Sequence, residues 1–399
     1  MTRLLYLSNA RLPTEKAHGG QIMQMCAAFA DAGAEVTLWH PRRVNLPDLA
    51  AQDPFTHYGV PRNFAVRTLP CLDGFPLAHR LGDPAPLLRA AFVIQVVTYA
   101  LAALWRLPRA RADLFYTRES ALLLLLALSG RGRRTVYEAH RLPGSRLGRA
   151  VQRWALRGAA GVVALTRQLA DDYAALGAPA GRIVVAPDAV QWARFATLPD
   201  RADARRALGV PAGAFVAGYV GRFHTMDMPK GLDTLVEAAA RTDDVHVCLV
   251  GGPAETVGEL RARGTLPDAR LIYLGQVPPG EVPRCLAAFD VCVMPFPWTR
   301  HFAYYASPIK LFEYMASGRP LVATDLPSTR EIVAHEVSAL LVPPDDPEAL
   351  AAALRRLRDD PALGARLAAE ARALVAACYT WKARAAGILK SVESPFSEA

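Results

Sequence analysis

Short apolar segments alternate with helical stretches along this chain, and the whole pattern occurs twice. The first half contains the predicted strands Leu4–Ser8, Val36–Trp39, Val66–Leu69, Asp113–Thr117, Thr135–Ala139, Val162–Leu165 and Ile183–Val185. The second half contains Phe215–Val220, His246–Val250, Leu271–Leu274, Val291–Met294 and Leu321–Ala323. Such alternation predicts parallel sheets covered by helices on both faces. We therefore predict an α/β protein of two Rossmann-like, doubly wound domains, with ligands at the carboxyl ends of strands that face a central cleft.

The length of the chain agrees with two domains. Its 399 residues exceed what one core usually holds and suit two units of about 200 residues each. A break at Thr197–Arg205, where Leu-Pro-Asp-Arg precedes a new strand–helix series, marks the boundary. We predict a first domain over residues 1–198 and a second over residues 199–378, followed by a helical segment, residues 379–399, that packs back onto the first domain.

Positive charge is concentrated in the first half of the chain. Residues 1–198 carry 24 basic and 13 acidic side chains, a net charge of +11, whereas the whole chain carries +9. A basic domain favours an anionic partner, which could be nucleic acid, an acidic lipid surface or a phosphorylated acceptor. Because the sequence has no zinc finger, RNA-binding aromatic signature or basic heptad region, we predict no nucleic-acid partner.

The cysteines and the N terminus indicate a cytoplasmic protein. The six cysteines are scattered without a C-x-x-C pair, as is typical of small buried hydrophobes in a reducing compartment. The chain enters a strand at once and lacks the layout of a signal peptide. Its longest charge-free run, Ala90–Trp105, would extend about 24 Å as a helix, short of the ~30 Å hydrocarbon core. We predict no transmembrane helix and a buried core helix over this run; contact with lipid is the alternative.

The strongest motif is Ser307–Pro320, which follows an irregular loop rich in Pro and aromatic residues. Ser307 suits a helix N-cap and Pro308 the first helical position, and the free N–H groups of such a helix start could bind an anion. Lys310 and Glu313 are three residues apart and share one helical face. A phosphate at the helix end and a carboxylate that grips a ribose diol would fit this face. A well-capped structural helix with a solvated Lys–Glu pair is the alternative.

A second motif, Gly221-Arg222 and then Lys230-Gly231, comes directly after the predicted strand Phe215–Val220. Two cations between a strand end and a helix start could neutralise a diphosphate. An arginine binds two oxygens at once, whereas a lysine supplies a movable point charge. Two ordinary surface cations in a loop are the alternative.

Two weaker motifs occur in the first half. Gly19 and Gly20 follow the first strand, and glycines in a turn there could let backbone N–H groups approach a phosphate or sugar. They lack the G-x-G-x-x-G spacing, so an ordinary tight turn is the alternative. His140 follows the strand Thr135–Ala139, where an imidazole could hydrogen-bond a sugar hydroxyl or shuttle a proton. A polar surface histidine is the alternative there.

Together these motifs resemble the retaining family 4 glycosyltransferases of GT-B fold. The resemblance extends from the Gly19-Gly20 loop to the segment around Trp381, and Gly221–Gly231 and Ser307–Pro320 carry it most specifically. The latter has a Ser-Pro-x-Lys/Glu-Tyr-Met-Ala form that is similar to one subgroup. The resemblance implies a metal-independent hexosyltransferase without a further cofactor. It would move a sugar from a nucleotide-diphosphate sugar, bound on the second domain, to an acceptor on the first.

The resemblance also implies roles for individual residues. Arg222 and Lys230 would bind the donor diphosphate and stabilise it as the leaving group, in place of a metal ion. Glu313 would hold the ribose hydroxyls, and His140 would contact the sugar near the reaction centre. The other donor contacts that the resemblance implies are Gly19, Gly20, Ser307, Ile309 and Lys310.

Tyr305 departs from the family pattern, which commonly has a second Glu at that position. The Gly-Phe-Gly segment that usually follows is Ala306-Ser307-Pro308 here. We interpret this as a feature of the subgroup, and it leaves the donor sugar open. Two other functions also stay open: a nucleotide-sugar epimerase of the same fold, and a non-catalytic protein that binds nucleotide sugars or membranes.

Four arginines after His140 indicate a membrane surface. Arg146, Arg149, Arg153 and Arg157 recur at spacings of three, four and four residues, which places them along one helical face. Near an anionic leaflet each arginine could add about 1 kcal/mol of attraction. Many relatives glycosylate lipid-linked or membrane acceptors. We therefore predict peripheral association with the inner face of the cytoplasmic membrane, in bacterial cell-envelope or exopolysaccharide synthesis.

Overall fold

The structure is a computed structural model that describes residues 1–393. These residues form two compact units, one of residues 1–187 with the C-terminal helix and one of residues 188–380. The sequence prediction placed the boundary later, between residues 198 and 199. Residues 188–198 pack with the second unit: the N–H of Val190 donates to the carbonyl of Tyr379 at 2.9 Å, and the carbonyl of Phe195 accepts from Arg372 at 2.7 Å.

The first unit is a seven-stranded parallel sheet with helices on both faces. Its strands are β1 (Arg3–Leu7), β2 (Glu35–Pro41), β3 (Ala65–Leu69), β4 (Leu114–Thr117), β5 (Thr135–Ala139), β6 (Gly161–Ala164) and β7 (Ile183–Val185). Its helices are α1 (Ala17–Asp31), α2 (Pro47–Ala50), α3 (Pro54–Tyr58), α4 (Phe75–Arg80), α5 (Ala85–Arg106), α6 (Ser120–Leu128), α7 (Arg146–Leu156) and α8 (Arg167–Leu176). The strand order is β3-β2-β1-β4-β5-β6-β7.

The second unit is a six-stranded parallel sheet with a small antiparallel hairpin. Its strands are β8 (Phe215–Arg222), β9 (His224–Thr225), β10 (Met228–Pro229), β11 (Val245–Gly252), β12 (Leu271–Tyr273), β13 (Val291–Met294), β14 (Leu321–Thr324) and β15 (Leu340–Val342). Its helices are α9 (Arg201–Leu208), α10 (Leu232–Ala240), α11 (Ala254–Ala262), α12 (Val282–Ala287), α13 (Arg300–Tyr304), α14 (Ile309–Ala316), α15 (Pro327–Arg330), α16 (Pro347–Asp359) and α17 (Pro361–Cys378). The chain returns to the first unit as α18 (Trp381–Glu393).

Each sheet has a point where the strand order reverses. In the first unit the chain runs outward from β1 to β3 and then resumes on the other side of β1 with β4. In the second unit the order β12-β11-β8-β13-β14-β15 reverses between β8 and β13. The connections that leave two such strands diverge, so a crevice opens at their carboxyl ends, and this is where α/β sheets bind ligands. A ligand site is therefore expected at the residues that follow β8 and β13.

Helices of the first unit form one layer on each face of the sheet. On one face α1 packs against α18. On the other face α5, α6 and α7 lie side by side. Tyr99 of α5 and Leu122 of α6 share a core there with Leu5 and Phe115 of the sheet. The inner strands β1, β4, β5 and β6 are buried on both faces, which explains their largely apolar character, whereas the edge strands β3 and β7 are more exposed.

The predicted fold class is confirmed, and each predicted strand coincides with an observed one. Three strands escaped prediction: the hairpin strands β9 and β10, which have two residues each, and the short edge strand β15. The prediction of a buried core helix over Ala90–Trp105 is wrong. Helix α5 begins earlier, at Ala85, and buries only residues spaced four apart, namely Ala91, Gln95, Tyr99 and Ala103. By length and composition Ala85–Arg109 could cross a membrane, the one such helix in residues 1–393.

Candidate donor site and a buried histidine cluster

The second motif occupies the end of β8 and the start of α10. Gly221 and Arg222 are the last residues of β8, where the sequence prediction placed them just after the strand. The hairpin β9–β10 follows, and Lys230 then leads to Gly231, which is the N-cap of α10 with a φ of 73°. A positive φ favours glycine at this position. The hairpin returns the chain to the end of β8. There the backbone N–H of Lys230 donates to the carbonyl of Phe223 at 3.1 Å.

Gly231 joins this motif to the loop that follows β13. A Cβ atom built on Gly231 would overlap the carbonyl oxygen of Pro295, so the two backbones approach as closely as glycine allows. The next residue of that loop, Phe296, has its ring centroid 5.9 Å from the ammonium of Lys230. Residues that follow β8 and β13 thus meet at the reversal point of the sheet.

We expect Gly231→Ala to destabilise the second unit far more than Gly209→Ala. Gly209 has a similar φ of 66° but nothing within 4 Å of an added Cβ, so it reports the conformational penalty alone, about 1–2 kcal/mol. Gly231→Ala adds the overlap with Pro295, which should cost roughly another 1–3 kcal/mol as the loop shifts. Chemical denaturation of both variants measures the difference. Equal losses would show that the two backbones separate freely.

The first motif reaches the same place through Lys310. Its Nζ lies 3.5 Å from the ring centroid of Tyr219 and 5.7 Å from that of Phe296. It would also be 2.8 Å from a Cβ added to Gly221. The side chain is 8% exposed, and its Nζ has no hydrogen-bond partner in the described part of the chain. A buried amine without an acceptor is costly, and an anionic ligand would supply the missing acceptor.

Burial and mutual repulsion shift the pKa values of these cations. Burial, and after it the charge of Arg222, lower the pKa of Lys230 to about 8. The pKa of Lys310 lies well below its ordinary value because of burial and then the charge of Lys230. Arg222 is exposed at the strand end. Three cations therefore crowd one spot, an arrangement that a bound diphosphate would stabilise.

Glu313 lies on α14 and interacts with the charges of two cations. Burial raises the pKa of its carboxyl group, while the charges of Arg194 and Lys310 oppose that shift. Burial lowers the pKa of the Arg194 guanidinium, and Glu313 opposes this. Arg194 was not singled out from the sequence, because it lies in an unremarkable loop more than a hundred residues before Glu313. An ionised carboxylate near these cations can accept hydrogen bonds from hydroxyl groups.

The start of α14 differs from the sequence prediction by one residue. Pro308, with extended backbone angles, takes the N-cap position, and Ile309 is the first helical residue. Ser307 does not cap the helix, because its Oγ accepts a hydrogen bond from the N–H of Asp188 at 2.7 Å. Ile309 is partly exposed. Tyr305 ends α13, and the guanidinium of Arg300 lies 5.9 Å from its ring centroid.

The prediction of a glycine turn at Gly19 and Gly20 is wrong. Both residues belong to the first turn of α1, which begins at Ala17. Gly19 serves packing: a Cβ there would overlap the hydroxyl of Tyr58, which accepts from the N–H of Thr14 at 2.7 Å and donates to its carbonyl at 2.9 Å. Gly20 leaves its ideal Cβ 3.6 Å from the Tyr58 ring, an ordinary contact distance.

His140 belongs to a buried polar cluster in the first unit. Its Nε2 lies 2.6 Å from Oε1 of Glu138, a fully buried carboxylate at the end of β5. Glu138 also accepts from Gln21 at 2.5 Å, from the hydroxyl of Tyr116, and from Arg384 of α18 at 3.1 Å. The carboxylate fixes which ring nitrogen of His140 carries the proton, because Nε2 must donate to it. The other nitrogen, Nδ1, is then an acceptor.

Burial, together with the charge of Arg118, keeps His140 neutral. Burial and then the charge of Arg118 lower the pKa of His140 to about 4, although Glu138 opposes the shift. Burial raises the pKa of Glu138, but Arg384 and His140 outweigh it and hold that pKa well below its ordinary value. Sequence analysis missed Glu138 and Arg384. The one available signal was a carboxylate inside the apolar strand Thr135–Ala139.

The four arginines predicted on one helical face lie on or directly after α7, and all four are exposed. Arg153 is also tied to the fold, because its Nε donates to the carbonyl of Leu176 at 2.8 Å. The helix begins at Arg146 with Ser145 as its N-cap, whose side chain accepts from the N–H of Gly148. Residues 1–393 contain no cluster of three or more His, Cys, Asp or Glu side chains that could hold a metal.

Both units match known domain families. Residues 18–189 match the family described as "Glycosyl transferase 4-like domain", and residues 214–360 match "Glycosyl transferases group 1". A 2-deoxystreptamine glucosyltransferase of Streptomyces kanamyceticus is 34% identical over 226 residues, which cover 53% of this chain and 55% of the relative. A phosphatidyl-myo-inositol mannosyltransferase of Mycolicibacterium smegmatis is 32% identical over 212 residues, 52% of each chain. The chain thus spans about half the length of the curated relatives it matches.

The fold of this chain has counterparts among solved structures. The Anabaena protein HepE, crystallised in complex with UDP, superimposes with a TM-score of 0.71 at 21% sequence identity and covers 98% of this chain and 100% of its own. At that identity the likeness concerns the fold alone, which is GT-B. Residues 18–189 and residues 214–360 therefore each match a glycosyltransferase domain family, and the two units together have the GT-B fold.

Proposed function

We propose that this protein is a retaining glycosyltransferase that transfers a sugar from a nucleotide-diphosphate sugar to an acceptor. The single observation that carries the proposal is the convergence of Arg222, Lys230 and Lys310 at the reversal point of the second sheet. Glu313 lies on α14, the helix that also carries Lys310, and interacts with its charge. HepE was crystallised with UDP and, in a second structure, with UDP-glucose, which supports a donor of this class.

The chemistry follows from where negative charge develops. As the bond between the anomeric carbon and the phosphate oxygen breaks, the diphosphate leaves with that electron pair, and the acceptor hydroxyl bonds to the same carbon. Arg222 and Lys230 would stabilise the growing charge, because fixed cations in a partly buried site act strongly on a transition state. The hydroxyl proton would pass to the leaving phosphate on the face from which it departs. No separate protein base is needed for this route.

His140 supports a retaining rather than an inverting reaction. An inverting enzyme needs a general base opposite the leaving group, and an efficient base has a pKa near the working pH. With a pKa of about 4, the neutral imidazole of His140 is a weak base. Its Nδ1 can still accept a hydrogen bond from a sugar hydroxyl. We therefore propose that His140 orients sugar and that two cations, in place of a metal ion, stabilise the leaving group.

A ligand panel and a product assay test the proposal. Thermal shift with UDP-, GDP- and ADP-sugars identifies the donor, because a bound ligand raises the melting temperature by mass action. Transfer to acceptors with EDTA present, followed by NMR of the new anomeric centre, should show metal-independent retention. Binding without turnover favours the non-catalytic alternative, and isomerisation without acceptor favours the epimerase. An inverted product contradicts the mechanism, and loss of activity in EDTA contradicts metal independence.

We expect donor affinity to fall as the pH rises through about 8. The protonated form of Lys230 binds the diphosphate, and its pKa in the free protein is about 8. At pH 9 roughly a tenth of this side chain stays charged, so affinity should be about 10-fold weaker than at pH 7. Calorimetry from pH 7 to pH 9.5 measures the change. Lys230→Arg, which remains charged, is the control and should flatten the profile; equal slopes would exclude Lys230 as the titrating group.

We propose further that the acceptor is a glycan or lipid at the inner face of the cytoplasmic membrane. The exposed arginines of α7 support this, as does the similarity to a phosphatidyl-myo-inositol mannosyltransferase. Flotation with anionic vesicles at low salt should recover the protein. Arg146→Gln, Arg149→Gln and Arg157→Gln should each weaken binding about 5-fold, the equivalent of about 1 kcal/mol. If wild-type protein does not float, the membrane proposal is wrong and the transferase proposal is unaffected.

A further inference from the structure

The stretch of residues 84–160 holds the excess positive charge of the protein. It contains thirteen arginines and three acidic residues, a net charge of +10, which exceeds the +9 of the whole chain. Of the three acids, Glu138 is fully buried and Asp113 is paired with Arg3 at 2.7 Å. Helices α5, α6 and α7 contain no acid at all. Positive charge is therefore concentrated in this helix layer and in the loops that join its helices.

Exposed apolar side chains concentrate in the same part of the molecule. Residues 1–393 expose 20 large hydrophobic side chains, and ten of them lie between Leu72 and Trp105. Single exposed apolar residues are ordinary, whereas a contiguous set marks an interaction surface. The outer face of α5 contributes Val93, Ile94, Val97, Leu101, Leu104 and Trp105.

The opposite face of α5 fixes the helix to the sheet. The hydroxyl of Tyr99 donates to the carbonyl of Trp39 at 2.9 Å, and Gln95 donates to the side chain of Asn9 at 2.8 Å. Both side chains are fully buried. A helix that crossed a bilayer would have to give up these bonds and place Gln95 in hydrocarbon. While α5 remains packed, it can only lie along a surface.

Apolar and cationic elements occur in one helix layer. Helix α6 packs between α5 and α7, so the apolar face of α5 and the arginines of α7 belong to neighbouring positions on one side of the sheet. Trp105 is 67% exposed, and the guanidinium of Arg109 lies 5.1 Å from its ring centroid. On α7, Leu147 and Trp154 are exposed among the arginines. Apolar residues flanked by Arg and Trp are typical of helices that lie in a membrane interface.

We infer that the outer surface of the α5–α6–α7 layer docks on an anionic lipid bilayer, with α5 inserted between the headgroups and α7 bound to their charges. This inference rests on the membrane association proposed above and deepens it. An anionic bilayer is the partner that matches both properties, because it offers apolar depth beneath negative charge. The two helices then contribute differently: attraction by α7 is screened by salt, and insertion of α5 is not.

Vesicle binding at two salt concentrations separates the two helices. The test variant is Val97→Gln with Leu101→Gln, at positions that are 50% and 58% exposed. Wild-type protein should keep a measurable partition into phosphatidylglycerol vesicles at 1 M NaCl, where the Debye length is about 3 Å. The variant should lose at least 10-fold in that partition. The matched control, Val185→Gln with Val337→Gln, removes exposed valines outside the layer and should bind like wild type.

Trp105 reports the depth of α5 directly. The fluorescence of Trp105 is the difference between the emission of the wild type and that of Trp105→Phe. Brominated lipids should quench this difference. Donor binding and transfer to a soluble acceptor should be unchanged in the α5 variant, so loss of vesicle binding with intact transfer supports the inference. Failure of transfer in wild type, with vesicle binding intact, would overturn the proposed function and leave the inference standing. Equal partition of wild type and variant, or an α5 variant that only dissociates a dimer, overturns the inference.

Discussion

Lys230→Ala should lower the turnover number for sugar transfer by about 10²-fold or more, and Arg222→Ala should lower it comparably. Both cations act on charge that develops only when the diphosphate leaves. Their removal therefore acts on the transition state more than on the bound donor. Lys230 is the more informative of the two. Its ammonium is buried beside Phe296, so another side chain cannot easily move into the space that Lys230→Ala leaves.

The kinetic pattern distinguishes catalysis from simple binding. If Lys230 stabilises the leaving group, kcat and kcat/KM should fall together; if it only holds the donor, KM should rise with kcat unchanged. Arg206→Ala is the control, since Arg206 is an exposed arginine of the same unit that pairs with Asp203. Its turnover should match wild type. Turnover of Lys230→Ala within a few-fold of wild type would falsify the assigned role.

The two cations need not contribute independently. Arg222 and Lys230 are close enough for the first to lower the pKa of the second. Removal of Arg222 should thus raise the pKa of Lys230 and strengthen its remaining charge at pH 8. The double variant is then expected to lose more than the sum of the two single effects, expressed as free energies. Additive losses would indicate separate contacts with the donor.

The sequence predicted the fold because hydrophobic periodicity is a local property. Strand β8 and the helix α14 could be placed within one or two residues, since strand and helix patterns repeat over a few positions. The spatial contacts between the motifs, in contrast, are not a local property. That Lys310 lies over Gly221, or that Gly231 contacts Pro295, depends on strand order and loop path. Spacing along the chain predicts neither.

Gly19 shows a different kind of error, in which a local pattern predicted a turn and the structure has the start of a helix. A glycine pair after the first strand is typical of a phosphate-binding turn. Here Tyr58, from a helix nearly forty residues later, occupies the space beside Gly19, and the helix starts early enough to include both glycines. Glu138 and Arg384 are separated by 246 residues, and only the return of α18 to the first unit brings them together.

Arg384→Met should destabilise the first unit by roughly 3–5 kcal/mol, because it leaves a buried carboxylate without its countercharge. Arg384 is 6% exposed and Glu138 fully buried. The guanidinium donates to Glu138, and also to the carbonyls of Ala186 and Pro187 at 3.1 and 2.8 Å. For a unit of this size the loss should lower the melting temperature by about 6–20 °C. Calorimetry or chemical denaturation of the full chain measures it.

Combining Arg384→Met with Glu138→Gln shows whether the stability loss comes from the unpaired carboxylate or from the lost contacts of α18. If the uncompensated carboxylate causes the loss, the double variant should be more stable than Arg384→Met alone, since a neutral amide needs no countercharge. If the loss comes from the broken bonds to Ala186 and Pro187, the second change should add further damage. Arg372→Met is the control: Arg372 bonds the carbonyls of Ala316 and Phe195 of the second unit, without a carboxylate.

The stability loss caused by Arg384→Met should depend on pH, because the charge of Glu138 does. In the wild type the pKa of Glu138 lies well below its ordinary value, so the carboxylate contributes stability at neutral pH that is lost as the pH falls through the unfolded and then the folded pKa. Without Arg384, burial raises that pKa, and protonation relieves the folded state. The loss caused by Arg384→Met should therefore be smaller at pH 5 than at pH 8, whereas that of Arg372→Met should be the same at both. An equal loss of stability at both pH values would mean that α18 stabilises the first unit by packing alone. The ionisation of Glu138 would then have no effect on the stability of the fold.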